Sequence, residues 1–380
     1  MLALVISPDA LRVNGIYSRV QLDVFGEIAK QLSVYVVSNH DLAPKIKDGL
    51  ASSGLKFIHA KARQNGKVIC QIAEGLDSPA HNILVFAVKA DDMHMAKNSG
   101  AVLIAAGWAS DRRISGLGIK VADLGELKQV IEICKGWPGQ WWYRGQGKIY
   151  QLRVLADLSS KYVQADQAAF ARMLTQTVKN GGAKLTALLT IVSRSLLTEG
   201  MLDGKLLWGC YPSSSSSNKD DEVLSDFTHR LRTTVSNVHF AERGEPLFIR
   251  HRPSIKRSTS TGINRADPSD QITSLHLNPR YEKQIRGRRV VVIDDCTTYG
   301  ASFAVAAGFL RAAGADDVVG IALGKFGNCL ADTSIEIKLV RSSLSKKMGM
   351  ALAWVCSIVK VLLRLSMGFL SYLASFRSFV

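Results

Sequence analysis

Short apolar runs alternate with longer mixed stretches along most of the chain. Leu2–Ile6, Val34–Val37, Ile83–Ala87 and Ala101–Ala105 are runs of the first kind. Their length and their aliphatic, often β-branched content predict buried strands. Val20–Leu32 and Asp92–Ser99 carry the mixed pattern of helices. The same alternation returns later. Leu206–Tyr211, closed by Pro212, Val290–Ile293 and Val318–Gly324 predict strands. Glu222–Thr234, with Val223, Leu224, Phe227 and Leu231 on one side, predicts a helix, and an Ala-rich helix begins at about Ser302 and ends at Gly314. Strand, helix, strand in one sheet is a right-handed parallel unit. The expected fold class is therefore α/β, with two Rossmann-like three-layer domains whose sheets are mainly parallel. From Lys346 the pattern changes. Ala353, Ser357, Lys360, Arg364, Gly368, Ser371 and Ser375 recur in steps of three and four among apolar residues such as Leu352, Val355, Ile358, Leu362 and Leu370. That spacing predicts an apolar C-terminal helix with one narrow polar stripe. The expected divisions are a domain over 1–135, a linker rich in glycine and aromatic residues over 136–150, a domain over 151–342 and the helix over 343–380.

The richest chemistry lies at Val290–Ser302, V-V-V-I-D-D-C-T-T-Y-G-A-S. A buried strand leads to two adjacent acids, Asp294 and Asp295, then to a tight loop with Gly300 and a helix start. Ligands of parallel α/β sheets bind beyond the C-terminal ends of strands. A loop entering a helix N-terminus offers free N–H groups and the positive end of a dipole, which suit phosphate. The acids would repel phosphate but suit sugar hydroxyls. Upstream, the strand Leu206–Tyr211, the small hydroxyl loop Ser213–Ser217 and the following helix repeat the phosphate-receiving order; a flexible Ser-rich linker has the same composition. Residues 251–285 are long, polar and basic with little apolar period, as expected of a functional or disordered loop.

The segment resembles the binding loop for 5-phosphoribosyl 1-diphosphate in type I phosphoribosyltransferases, most closely the competence-protein-like subgroup. Asp294, Asp295, Cys296, Thr297, Thr298, Tyr299, Gly300, Ala301 and Ser302 follow that pattern, with Tyr299 replacing a usual small hydroxyl residue. The resemblance covers about residues 160–340. It implies that Asp294 and Asp295 are the catalytic pair, holding the ribose hydroxyls. It implies that Thr297, Thr298, Tyr299, Gly300, Ala301 and Ser302 hold the 5′-phosphate. Ser213, Ser214 and Ser215 would line the diphosphate, with Lys256 and Arg257 as cations on a mobile loop that excludes water. Magnesium would bridge diphosphate and ribose oxygens. The implied activity is transfer of phosphoribose to an acceptor that no motif identifies. The alternative is a non-catalytic sensor, or an effector of a bacterial stress or anti-phage system of the retron type.

The first half, around D-D-M-H-M-A-K-N-S-G-A-V-L-I-A-A-G-W, resembles haloacid-dehalogenase-like phosphatases. That family needs an Asp nucleophile at the end of its first strand and a second Asp two residues on; this chain has Ser7 and Asp9 there. Ala87 and Val88 stand where Gly-Asp is usual, with only the later Asp92 kept. A phospho-aspartate intermediate needs the missing carboxylate. The expectation is a domain that kept the fold and lost hydrolysis, or a generic Rossmann-like domain.

Composition adds little to this reading. The formal net charge of +16 admits nucleic acid, but an anionic substrate with phosphates at both ends accounts for it better. The cysteines form no C-x-x-C pair and no zinc spacing, and the N-terminal M-L-A-L-V-I-S-P-D lacks the basic start of a signal peptide. A cytoplasmic protein is expected, forming an oligomer or meeting a membrane or protein partner through residues 346–380. Trp137, Trp141, Trp142 and Tyr143 are expected to glue domains together.

Overall fold

The computed structural model describes residues 1–159, 163–182, 184–200, 206–236, 242–255, 264, 267–341, 354–367 and 369–370. The chain forms two compact units. The first runs to Gly139 and includes helix Lys184–Thr198 and the end of helix Val223–Val235 from Arg230 onward. The second holds the rest of the described chain.

In the first unit, six parallel strands lie in the order Lys56–His59, Ser33–Ser38, Ala3–Ile6, Ile83–Ala87, Val102–Ala106 and Lys120–Val121. Ala3–Ile6, Ile83–Ala87 and Val102–Ala106 are buried at every position. Strands covered on both faces read as unbroken apolar runs, which is why they stand out in the sequence. Helix Ala90–Ser99 carries Met95 and Ala96 into the core beside Val68, Ile69 and Ile72 of helix Lys67–Gly75.

The second unit has a mixed sheet. Leu206–Cys210, Arg289–Thr297, Asp317–Lys325 and Gln151–Asp157 are parallel neighbours in that order, and Tyr143–Gln146 and Phe369–Leu370 add antiparallel strands beyond them. Helix Ala301–Ala312 is buried through its first ten residues. Its alanines keep it thin enough for close approach. A Cβ on Gly308 would sit 3.1 Å from Ile335 and Ile337 side-chain carbons of the strand Cys329–Arg341.

Two expectations are corrected. The segment 136–150 is not wholly a linker, because Tyr143–Gln146 is a strand and Tyr143 belongs to the second unit's core. Trp137 is buried in the first unit, where its Nε1 donates to Ser195 Oγ at 3.0 Å. The C-terminal helix also fails. Trp354–Met367 is a strand, antiparallel to Cys329–Arg341. Val355, Ile358, Val359 and Val361 are β-branched and favour extended backbone, and a neighbouring strand edge supplies the hydrogen bonds. Residues 342–353 and 371–380, the rest of the expected helix, lie outside the described residues. Among the described residues no helix is long and apolar enough to cross a membrane.

Gly308→Val should lower stability by about 1–3 kcal/mol, through overpacking against Ile335 and Ile337. Thermal unfolding followed by circular dichroism measures this, and an unchanged midpoint would show that the strand does not press on the helix.

Candidate functional site

The acid pair sits on an inner strand of the second unit. Sequence pattern places Asp294 and Asp295 at the end of that strand, but the strand continues to Thr297, pairing as far as Thr297 with Lys325. Asp294 and Asp295 are half-buried. Asp294 Oδ2 accepts from Ser302 Oγ at 2.6 Å, and Oδ1 accepts from the Asp295 amide at 2.9 Å. Burial first, and the neighbouring Asp295 charge second, hold the Asp294 carboxyl well above its ordinary range. Two adjacent acids, one of them reluctant to ionise, form a site that gains from an incoming cation. That donor chemistry fits a divalent cation. Among the described residues no group of three or more His, Cys, Asp or Glu side chains stands ready to hold a metal by itself.

The loop after the acids is Thr298–Gly300. All described peptide bonds are trans, so a carbonyl held on one side turns the next N–H to the other. The Thr297 carbonyl accepts from the Phe326 amide at 2.9 Å, and the Thr298 carbonyl accepts from Lys325 Nζ. The Gly300 carbonyl accepts from Tyr150 Oη at 3.3 Å. The amides of Thr298 and Tyr299 are thereby turned away from the Lys325 strand, and that of Ala301 away from Tyr150. The first turn of helix Ala301–Ala312 adds the amides of Ser302 and Phe303. Gly300 has φ +80°, and a Cβ there would lie 2.5 Å from Tyr150 Oη and 2.6 Å from Leu330. Only glycine fits. Thr297 is buried and its Oγ accepts from the Gly300 amide at 3.0 Å, so it braces the turn. Tyr299 is half-buried.

The Ser213–Ser217 loop follows Leu206–Cys210, the parallel neighbour of the acid-pair strand. It has the same construction. Arg250 Nη2 and Nε donate to the carbonyls of Pro212 at 3.2 Å and Ser213 at 2.7 Å, and the Ser254 amide donates to that of Ser214 at 2.9 Å. The amides of Ser213, Ser214 and Ser215 are therefore turned away from Arg250 and Ser254. Asn218, at φ +60°, exchanges two hydrogen bonds with the Arg250 main chain. A flexible linker would have none of these ties. Asp220, at φ +58°, accepts from Ser225, His229 Nε2 at 2.7 Å and the Gly244 amide at 2.9 Å, which fixes the entry to helix Val223–Val235. Cys210 and Cys296 flank the acids. Burial pushes the Cys210 thiol up to about 12 and Cys296 higher still, so both are neutral thiols. Lys256 and Arg257 lie outside the described residues.

Sequence reasoning gave no role to Lys325 or to Arg250. A charged residue ending the apolar strand Asp317–Lys325 was the available signal.

In the first unit, Ser7 ends the strand Ala3–Ile6 and donates from Oγ to Asp92 Oδ2 at 3.1 Å. Asp92 is fully buried. It also accepts from the amides of Val88 at 2.9 Å and Lys89 at 3.0 Å, and it pairs with the buried Arg63. Asp9 pairs with Lys89 at 2.8 Å. Asp9, Val88 and Lys89 border a cleft of about 970 Å³, lined also by Arg12, Trp108 and Arg113, and Ser7, Arg63 and Asp92 are not among its lining residues. Of the two carboxylates kept from the expected phosphatase set, Asp92 is thus committed to Arg63 and to main-chain amides, and Asp9 to Lys89.

No protein-family model matches the chain, and no curated protein matches it. Among solved structures it is similar to the cobalt-bound deoxy-D-mannose-octulosonate 8-phosphate phosphatase of Haemophilus influenzae. The identity is 16% over 29% of this chain and 74% of that one, with a TM-score of 0.23. A likeness that slight carries no conclusion about fold or activity.

Asp294→Asn should raise the melting temperature near neutral pH. The raised carboxyl of the wild type binds its proton more tightly folded than unfolded. Its stabilising contribution is therefore fully present below the ordinary aspartate value and is lost as pH rises from there through the raised one. Melting curves across pH check both the gain and its disappearance in acid. In the first unit, Asp92→Asn should cost about 3–5 kcal/mol by leaving Arg63 buried and unpaired. The wild type should show no magnesium-dependent hydrolysis of small phosphoesters above a buffer blank, and turnover abolished by Asp9→Ala would contradict this.

Proposed function

We propose that the second unit binds 5-phosphoribosyl 1-diphosphate and transfers its phosphoribosyl group to an acceptor. The observation that carries this reading is the pairing of two amide-bearing loops at the ends of adjacent parallel strands, with the acid pair on one of them. The Thr298–Ser302 amides would hold the 5′-phosphate. The Ser213–Ser215 amides would hold the diphosphate as it leaves. Asp294 and Asp295 would accept hydrogen bonds from the ribose hydroxyls and offset the positive charge that develops at C1. Magnesium near Asp294 and Asp295 would supply charge neutralisation on the leaving group. Its presence beside Asp294 would favour the ionised carboxylate, the form in which that residue accepts two hydrogen bonds.

The phosphatase-like resemblance of the first unit supports a retained α/β scaffold without hydrolysis. The Arg63–Asp92 pair favours that reading, because the buried arginine occupies the charge a divalent cation would need.

Isothermal titration with phosphoribosyl diphosphate in magnesium tests the site. Wild type should bind, and Asp294→Asn combined with Asp295→Asn should weaken binding about tenfold or more, the scale of lost hydrogen bonds to charged groups, with the circular dichroism spectrum unchanged. Equal affinities would overturn the assignment. Tight binding without diphosphate release in the presence of candidate acceptors would favour a sensor or stress-system effector over a transferase.

A further inference from the structure

We propose that Arg250 and Lys325 are positioning residues, each turning the main chain of one loop so that its amides face an anion. Arg250 would set the Pro212–Ser215 turn and Lys325 the Thr297–Gly300 turn. The inference rests on the phosphoribosyl reading above and adds two residues to it.

Both side chains are buried, Arg250 at 4% exposure and Lys325 at 0%. Their donors go to loop main chain. Arg250 donates to the carbonyls of Pro212 and Ser213, with its remaining Nη1 on Ser274 Oγ at 2.8 Å. Lys325 Nζ donates to the carbonyls of Thr298, Gly327 at 2.8 Å and Cys329 at 2.7 Å. Among the described residues neither side chain forms an ion pair. Burying a cation without a counter-charge is costly, and an apolar side chain of similar length would fill the space at lower cost. The charge therefore does something that packing does not. Carbonyl dipoles drawn to one side of a trans main chain leave N–H dipoles on the other, with a full positive charge behind them. Both effects favour an anion at the same place.

Three titratable groups face Lys325. Tyr143 lies with its ring centroid 5.4 Å from Nζ; Asp157 approaches from the neighbouring strand Gln151–Asp157, and Cys329 from the start of the strand that follows Lys325 in the chain. Burial brings the Lys325 ammonium down to about 8, so above that pH the clamp on Thr298 loses its positive charge and one of its three N–H donors.

The two loops would hold different ends of one ligand, so a double dissociation tests the proposal. Full-length protein is titrated with ribose 5-phosphate and, separately, with inorganic diphosphate in magnesium. Lys325→Met should weaken ribose 5-phosphate about tenfold or more and diphosphate by no more than about twofold, the tolerance for independent sites. Arg250→Met should do the reverse. Lys325→Arg, which stays charged, should recover affinity and abolish the wild-type loss of ribose 5-phosphate binding above pH 8. Equal weakening of both ligands in either Met variant would mark a general structural role and overturn the proposal, as would no weakening at all. Where a Met variant does not fold, the pH profile of Lys325→Arg decides, and a profile identical to wild type overturns the role of Lys325. Wild type that binds neither probe would overturn the phosphoribosyl reading itself, an outcome visible before any variant is made.

Discussion

The second unit's candidate site depends on which way a few peptide groups point. Main-chain carbonyls of two loops are drawn to one side by buried cations, Arg250 for Pro212 and Ser213, and Lys325 for Thr298. Serine and threonine side chains are secondary to this. Ser213 Oγ is occupied with Glu222, Thr297 Oγ with the Gly300 amide and Ser302 Oγ with Asp294. The hydroxyl-rich composition that marks these loops in the sequence mainly holds their shape. The turned loops present backbone amides, which any residue but proline supplies. An amide needs no particular side chain, so the proposed phosphate role would tolerate Tyr299, whereas Gly300, the position with φ +80° and no room for a Cβ, cannot vary.

Much of this arrangement was legible in the chain. The order of apolar run, acid pair, glycine loop and Ala-rich helix maps onto Arg289–Thr297 and Ala301–Ala312 because each element is local. The strand runs through the acids to Thr297 because its neighbour, Asp317–Lys325, is long enough to pair with it there. Arg250 and Lys325 were not legible in their roles. Their partners lie 38 and 27 residues away, and nothing in the local pattern says that a cation will meet a carbonyl. The tail failed for a related reason. An apolar run with a polar residue every three or four positions fits a helix, but its β-branched residues fit a strand equally well once an edge is at hand. The edge at Cys329–Arg341 is a tertiary fact.

The Asp92 set of the first unit and the acid-pair site of the second treat buried charge in opposite ways. In the first, Asp92 and Arg63 satisfy one another, and the amides of Val88 and Lys89 complete the carboxylate's shell. Such a closed set resists change and leaves no charge to offer. In the second, Asp294 is held beside Asp295 without a cation among its hydrogen-bond partners, while Arg250 and Lys325 are buried against neutral carbonyls. Charges of both signs are kept apart. That separation is tolerated because the parallel sheet is rigid and covered, and it leaves a polarised surface ready for a ligand of mixed charge.

Leu206–Cys210 and Arg289–Thr297 are hydrogen-bonded neighbours in fixed register. Neighbouring strands lie about 4.8 Å apart, a spacing that the sheet's own hydrogen bonds maintain. The starting points of the two loops are thus separated by a length that neither loop sets and that no side-chain substitution easily alters. The sheet acts as a ruler. On the phosphoribosyl reading, a ligand with an anionic group at each end would be sorted by its span before any of its other chemistry is tested, and sequence drift in the loops would leave that scale untouched.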